Sequence, residues 1–322
     1  MKVLVLGAGW YGCHACMVLE NLGIQYKICD TANEFFTGSS SKNQNRLHLG
    51  FHYPRSSKTR NECQTGFDKF MEVYGQFTTE IRNNYYCIDK KSLMDCKSYT
   101  SIYKYEKISF EDKTAMNVPF SVDDSNIDGI IRVDERFIDF RKAACYFREK
   151  LSQHMINGYS KDMLNIDKLT YNNESFDMII DCTYSAVNKN MFYETCISLI
   201  YECKDPSIFA ITVVDGLFWS IYPYYSEGRL YTLTDVEHTP SGREDSRLQI
   251  EAKVHKYIPD FYKHFTYKGY FLSNKAKPGD ICSDDRSLVW SRKANVIKFS
   301  GGKITGIFAM EDILYEELPL QQ

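Results

Sequence analysis

No charge of one sign dominates this chain of 322 residues: 39 Lys and Arg stand against 42 Asp and Glu, for a formal net charge of −3. That balance excludes a general attraction to nucleic acid or to an anionic membrane surface. There is also no uninterrupted apolar run long enough to span a bilayer. The stretch from Ile208 to Tyr225 comes nearest and is broken by Asp215 and Gly216. Met1 leads directly into an apolar strand, without a basic stretch followed by an apolar one, so a soluble, cytoplasmic protein is expected. Repeats, low-complexity tracts and flexible linkers are absent. The 11 cysteines are odd in number and scattered through expected strands and helices, which fits a reducing compartment better than a disulfide framework. Cys13 and Cys16 form a C-x-x-C around His14, but no second Cys or His pair follows at zinc spacing. They read as small helix residues packed on a sheet, and no metal is expected.

What is present begins at once, in KVLVLGAGWYGCHACMVLENLGIQYKICD, Lys2 to Asp30. The apolar run Val3 to Leu6 reads as a buried parallel strand. Gly7, Gly9 and Gly12 follow at G-x-G-x-x-G spacing, helical residues run to Leu22, and a short strand from Gln25 to Cys29 ends in Asp30. Gly7 permits a tight turn, Gly9 lets the backbone approach a pyrophosphate, and Gly12 lets the helix lie close to the strand. The helix start offers backbone N–H groups and a positive dipole end to phosphates. Asp30 stands where an acid accepts from a ribose hydroxyl pair. The pattern specifies a dinucleotide site; Asp30 alone does not separate FAD from NAD.

Further along, Leu47, Leu49 and Phe51 alternate with Arg46, His48 and His52 before Pro54. Ser56 or Ser57 is placed to cap a helix running to about Ile81, with Phe67, Phe70, Val73, Tyr74 and Phe77 on its apolar face. Residues 83–126 read as antiparallel sheet, and Asp134 as the cap of a helix over 135–152. Met178 to Asp181 is an apolar strand. FAITVV, Asp215-Gly216 and LFWSIYP form a hairpin signal, and RLYTLTDVEH extends it to a three-stranded meander. A helix is expected over 244–258. A strand over 295–300 then leads through Gly301, Gly302 and Lys303 into a final helix to about Glu316. The order is α/β at both ends with antiparallel strands between.

Four separated blocks carry a family likeness. They are the opening unit; SSSKNQNRLHLGFHYPRSSKTRNECQTG from Ser39 to Gly66; GIIRVDERFIDF with the later DMIIDCTYSAVN; and SDDRSLV with FSGGKITGIFAMED. Together the chain resembles the FAD-dependent oxidoreductases of the D-amino-acid oxidase superfamily. Those include glycine and sarcosine oxidases, 2-hydroxyglutarate oxidase and FAD-linked glycerol-3-phosphate dehydrogenase. The chain departs from the family in having Cys182-Thr183-Tyr184 where many members have Ala-Gly. It also shows no evident counterpart of the usual arginine before the final block, where Lys275 and Lys277 stand nearby. The resemblance implies an α/β fold, α+β overall. A Rossmann-like FAD-binding domain (1–82, 133–190 and 280–322) would be interleaved with an antiparallel-sheet substrate domain (83–132 and 191–279).

The resemblance also implies roles. Ser39, Ser40, Ser41, Asn43 and Asn45 would wrap the pyrophosphate and ribityl chain, with Arg46 beside them. Gly301, Gly302, Lys303, Ile304 and Thr305 would set backbone N–H groups and a helix start near the flavin pyrimidine edge, where charge gathers on reduction. His48 matches the family histidine near the flavin ring and is the candidate to help deprotonate a hydroxy substrate. Arg46 and Arg55 are candidates to hold an anionic substrate through bidentate contacts. Tyr53, Tyr222, Tyr224 and Arg286 are candidate substrate contacts. The implied activity is removal of a hydride from a carbon bearing an amine or hydroxyl in a small, anionic molecule, with the electron acceptor open. Three alternatives stand beside it: a non-redox flavoprotein resembling UDP-galactopyranose mutase, a non-catalytic FAD-binding member, and NAD as sole cofactor.

Overall fold

The computed structural model describes residues 1–184, 191–224, 229–278, 288–301 and 303–318. Its helices are α1 (Trp10–Asn21), α2 (Ser57–Tyr74), α3 (Cys96–Tyr105), α4 (Phe140–Leu151), α5 (Arg247–His255), α6 (Phe261–His264) and α7 (Gly306–Glu317). The chain forms two compact units. Met1–Ser41, Phe140–Tyr193 and Lys275–Gln322 make the first; Lys42–Asp139 and Glu194–Asn274 make the second.

The first unit holds a five-stranded sheet. Its strands lie in the order Val289–Lys293, Val296–Ser300, Met178–Asp181, Lys2–Leu6, Gln25–Cys29. The last four are mutually parallel, and the first pairs antiparallel to its neighbour. Val3, Leu4, Val5, Ile179 and Ile180 are wholly buried, as expected of strands covered on both faces.

In the second unit eight strands make one sheet, in the order 265–278, 191–203, 230–235, 219–223, 209–214, 83–89, 127–132, 111–113. Its registered pairs are antiparallel except one, because Phe209–Val214 runs parallel to Asn83–Asp89. A parallel neighbour requires a long crossover, and the chain supplies it between residues 89 and 209. Successive side chains on each strand point to opposite faces. Ile211, Val213, Trp219, Ile221 and Leu233 pack with Ile250, Val254 and Phe261 of α5 and α6. Tyr86, Ile88 and Ile131 pack on the other side with Phe51 and with Tyr99 and Tyr103 of α3.

Several sequence expectations are corrected. Residues 83–126 are not sheet throughout, since Cys96–Tyr105 is helical and Asp95 caps it by accepting the Ser98 N–H. Tyr99 and Tyr103 are on the buried face of that helix, whereas Tyr85 and Tyr86 do lie in a strand. Helix α2 stops at Tyr74 and Val73 is solvent-exposed; Thr78–Glu80 turns to strand instead. Helix α4 starts at Phe140, not at 135. Arg136–Ile138 is a strand held between Arg46–Leu47 and Thr78–Glu80, and pairing on both sides outcompetes helix there. The same pairing explains why 42–82 and 133–139 lie in the second unit and not with the nucleotide part, where the sequence placed them.

Candidate functional site

The nucleotide end belongs to the first unit. Strand Lys2–Leu6 must reverse into α1 within three residues. Gly7 does so at φ +97°, and a Cβ there would lie 2.8 Å from the Cys182 carbonyl oxygen. A Cβ on Gly12 would lie 1.8 Å from the Gly7 carbonyl oxygen, so only glycine lets α1 rest this close to the strand end. At Gly9 a Cβ would meet the Ser40 hydroxyl at 2.6 Å. That hydroxyl accepts the Trp10 N–H at 3.0 Å. Asp30 accepts the N–H groups of Ala8 and Ala32, each at 2.9 Å and each on a different oxygen. A carboxylate has about four acceptor positions, so capacity for a ribose hydroxyl pair remains. Gly7, Gly9, Gly12, Asp30 and Ser40 therefore gather at the start of α1.

Ser39 is exposed, and Ser41 donates its hydroxyl to the Gly38 carbonyl. The Tyr11 hydroxyl donates to the Lys303 carbonyl at 2.8 Å, and a Cβ on Gly301 would lie 1.9 Å from that hydroxyl. The turn before α7 is thus pinned to the first turn of α1, with Ile304 and Thr305 leading into the helix. Gly302 and Arg286 lie outside the described residues. Cys13 and Cys16 are buried free thiols on α1, and burial pushes both well above the ordinary thiol range. A glycine cradle, a helix start whose N-cap residue Gly9 has no side chain to cap it and an acid at the next strand end fit the ADP half of FAD.

A second constellation lies within the second unit. Register sets Tyr86 beside Thr212, Thr212 beside Ser220, and Ser220 beside Thr234, a polar row across four strands. The short strand Arg46–Leu47 brings Arg46 onto this row. Its Nη1 donates to the Tyr86 hydroxyl and to Thr212 Oγ1, each at 2.9 Å, and its guanidinium lies over the Tyr222 ring, 4.0 Å from the centroid. The register Leu47 opposite Arg136 continues to bring the chain at His48 beside Glu135, 87 positions later. Glu135 is fully buried. Its carboxylate accepts the Leu49 N–H at 2.9 Å and the Tyr86 hydroxyl at 2.7 Å, with His48 Nδ1 at 3.5 Å and Arg46 Nη1 at 3.7 Å. The His52 ring bonds the same Tyr86 hydroxyl, and the His48 and His52 ring centroids are 4.9 Å apart.

Burial pushes the Glu135 carboxyl up, but His48, Arg46 and Tyr86 outweigh it and hold the group below its ordinary value. Burial pushes the Tyr86 phenol well above its ordinary value, so it stays a proton donor. Arg46 remains charged: burial works against it, while Tyr86, Tyr222 and Glu135 favour the cation. His48, His52 and Glu135 are the one trio among the described residues with ligand atoms within 4.8 Å of one another. The Arg46 cation already stands where a metal would neutralise this carboxylate, and hydrogen bonds engage both carboxylate oxygens.

Of the sequence candidates, Arg46, His48 and Tyr222 meet here, with the Tyr53 ring 5.9 Å from His48. Tyr224 does not join them by its ring contact; it stacks on Phe271. Asn43 and Asn45 bond each other in the loop before Arg46. Arg55 is committed to Asp215, its Nε at 2.9 Å from Oδ2. Sequence reasoning missed Glu135, Tyr86, Thr212 and Gln44. Only Glu135 left a trace: an acid beside Phe137 and Ile138, which was assigned to a helix.

Fold and residues together define a dinucleotide-binding α/β protein with a separate sheet-borne polar site, the architecture of a flavin-dependent oxidoreductase. No protein-family model matches the chain. It is 32% identical over 336 residues to FAD-dependent monooxygenase FPY4 of Fusarium mangiferae, covering 96% of this chain and 89% of that protein. It is 24% identical over 368 residues to FAD-dependent monooxygenase kojA of Aspergillus flavus, covering 98% and 85%. Among solved structures, glycine oxidase of Geobacillus kaustophilus superposes with a TM-score of 0.72 at 10% identity, covering 98% of this chain and 94% of that one. The chain belongs to the family of FAD-dependent monooxygenase FPY4, and it shares the fold of glycine oxidase. It is an FAD-dependent enzyme.

Proposed function

We propose that the protein oxidises a hydroxyl-bearing carbon of a small molecule. The observation that carries this reading is the partly exposed His48 backed by the buried, ionised Glu135. With Nδ1 directed at Glu135, the Nε2 nitrogen holds the lone pair, and it takes the hydroxyl proton while the carbon loses hydride and becomes a carbonyl. FAD, when bound, supplies the two-electron acceptor. An amine reacts as its neutral form without a base, so a built base favours the hydroxyl substrate. In this reading Gly7, Gly9, Gly12, Asp30 and Ser40 hold the adenosine and pyrophosphate, and the Gly301–Thr305 turn faces the flavin. The expected anionic substrate loses support, since Arg46 and Arg55 each face a carboxylate of the chain itself.

Anaerobic mixing of the FAD-loaded protein with a panel of hydroxy and amino compounds tests this. A hydroxy compound should bleach the flavin band in one turnover, and His48→Ala should slow the bleaching by about 10²–10⁴-fold. Bleaching by amines alone, or equal rates in the variant, would remove the role given to His48. The names of FPY4 and kojA favour a second reading, oxygen insertion. It requires a two-electron reductant for the flavin, such as a reduced nicotinamide, and it predicts a labelled product under isotopically labelled dioxygen. The first reading predicts none.

A further inference from the structure

The donors around Arg46 do not balance their acceptors. Nη1 is engaged by Tyr86 and Thr212. On the opposite edge, Nε is buried with no hydrogen-bond partner among the described residues, and Nη2 has only the Gln44 side-chain oxygen at 3.5 Å. That oxygen also accepts from Ser220 Oγ at 3.0 Å, which fixes the amide so that Nε2 is its donor end. The Gln44 Nε2 is likewise buried and without a partner among the described residues. Arg46 is itself 5% exposed. Stacking on Tyr222 occupies the face of the guanidinium and leaves its in-plane edge to bond. Buried donors without acceptors are costly, and a set of them at one place marks where an acceptor belongs.

We propose that the Nε edge of Arg46 and the amide of Gln44 form a binding site for an uncharged carbonyl-type oxygen of the substrate. The argument for an uncharged oxygen is charge balance. Arg46 stands 3.7 Å from the ionised, fully buried Glu135, so the cluster is already near neutral. A carboxylate would leave an excess negative charge out of water, which is strongly disfavoured, whereas a ketone or amide oxygen accepts the same hydrogen bonds without it. The second arginine in this segment, Arg55, is also neutralised, by Asp215. This assignment names the substrate class for the flavoenzyme reading, but binding can be measured without any flavin step.

The test is calorimetric titration of the purified, full-length, FAD-loaded protein with 4-hydroxyacetophenone and 4-hydroxybenzoate, close in shape and differing in charge. The ketone should bind at least about ten-fold more tightly, which is 1.4 kcal/mol. Gln44→Leu, a milder change than any at Arg46, should weaken the ketone severalfold. Glu135→Gln removes the balancing charge and should shift preference toward the carboxylate. Tighter binding of the carboxylate to the wild type, no binding of either compound, or indifference of the ketone to Gln44→Leu would each overturn the assignment. Flavin content, read separately by absorbance, decides the flavoprotein reading, so the two failures are distinguishable.

Discussion

Glu135 persists in the core because a cation, a phenol, an imidazole and a backbone N–H converge on it. Removing the carboxylate strands Arg46 as a buried, uncompensated charge, so Glu135→Leu should cost about 3–5 kcal/mol in urea unfolding. Its pH signature has a definite sign. The native carboxyl lies below its ordinary value because His48, Arg46 and Tyr86 overcome the upward push of burial. Ionised Glu135 therefore stabilises the fold above the unfolded value of about 4.3, and that contribution fades as pH falls from there through the lower native value. The stability profile of Glu135→Gln should be flatter in that window than the wild-type profile; identical profiles would show that Glu135 is not held ionised. Little of this was visible in the sequence, where Glu135 stood between Asp134 and Arg136 with its distant partners out of view. His48 was legible through its family likeness, and the glycines through their spacing.

At the scale of elements, α1 depends on contact between backbones. An alanine methyl at residue 12 would collide with the Gly7 carbonyl oxygen, which has no room to retreat because the Gly7 N–H is bonded to the Cys29 carbonyl at 2.7 Å. Gly12→Ala should therefore push α1 off the strand end and empty the protein of FAD, read as loss of the flavin bands after gel filtration. Retention of full flavin would refute the cradle. Helix α3 rests on a different device, the Asp95 cap. Asp95→Ala should cost about 1 kcal/mol, seen as a lowered urea midpoint, while flavin content stays unchanged. Periodicity exposed α1 and α7 because each has a glycine turn on one side and a strand before it. It misassigned α3, whose aromatic residues suit strands as well as helices. It misplaced the start of α4, where partners from both sides claim Arg136–Ile138.

For the whole molecule, each unit is assembled from separated stretches of chain, three in the first and two in the second. The nucleotide cradle draws residues from the first such stretch, closed by the turn before α7 at the far end of the sequence. A ligand that binds only the folded cradle should therefore stabilise the protein. FAD at a hundredfold over its dissociation constant should add about 2.7 kcal/mol, measured as a concentration-dependent rise in unfolding temperature. NAD at the same concentration should do markedly less; an equal rise would reopen the cofactor assignment.

Local chemistry was sufficient for the nucleotide end. Close backbone approach admits only glycine at Gly7 and Gly12, so sequence by itself determined the glycine turn, the helix seated on it and the α/β order. The polar site was decided only by tertiary structure. Gln44, Arg46 and His48 meet Tyr86, Glu135, Thr212 and Ser220 through strand registers. Register is set by the pairing of distant segments, which no local pattern encodes. For the same reason, the charges that looked available to a substrate proved to be balanced within the protein.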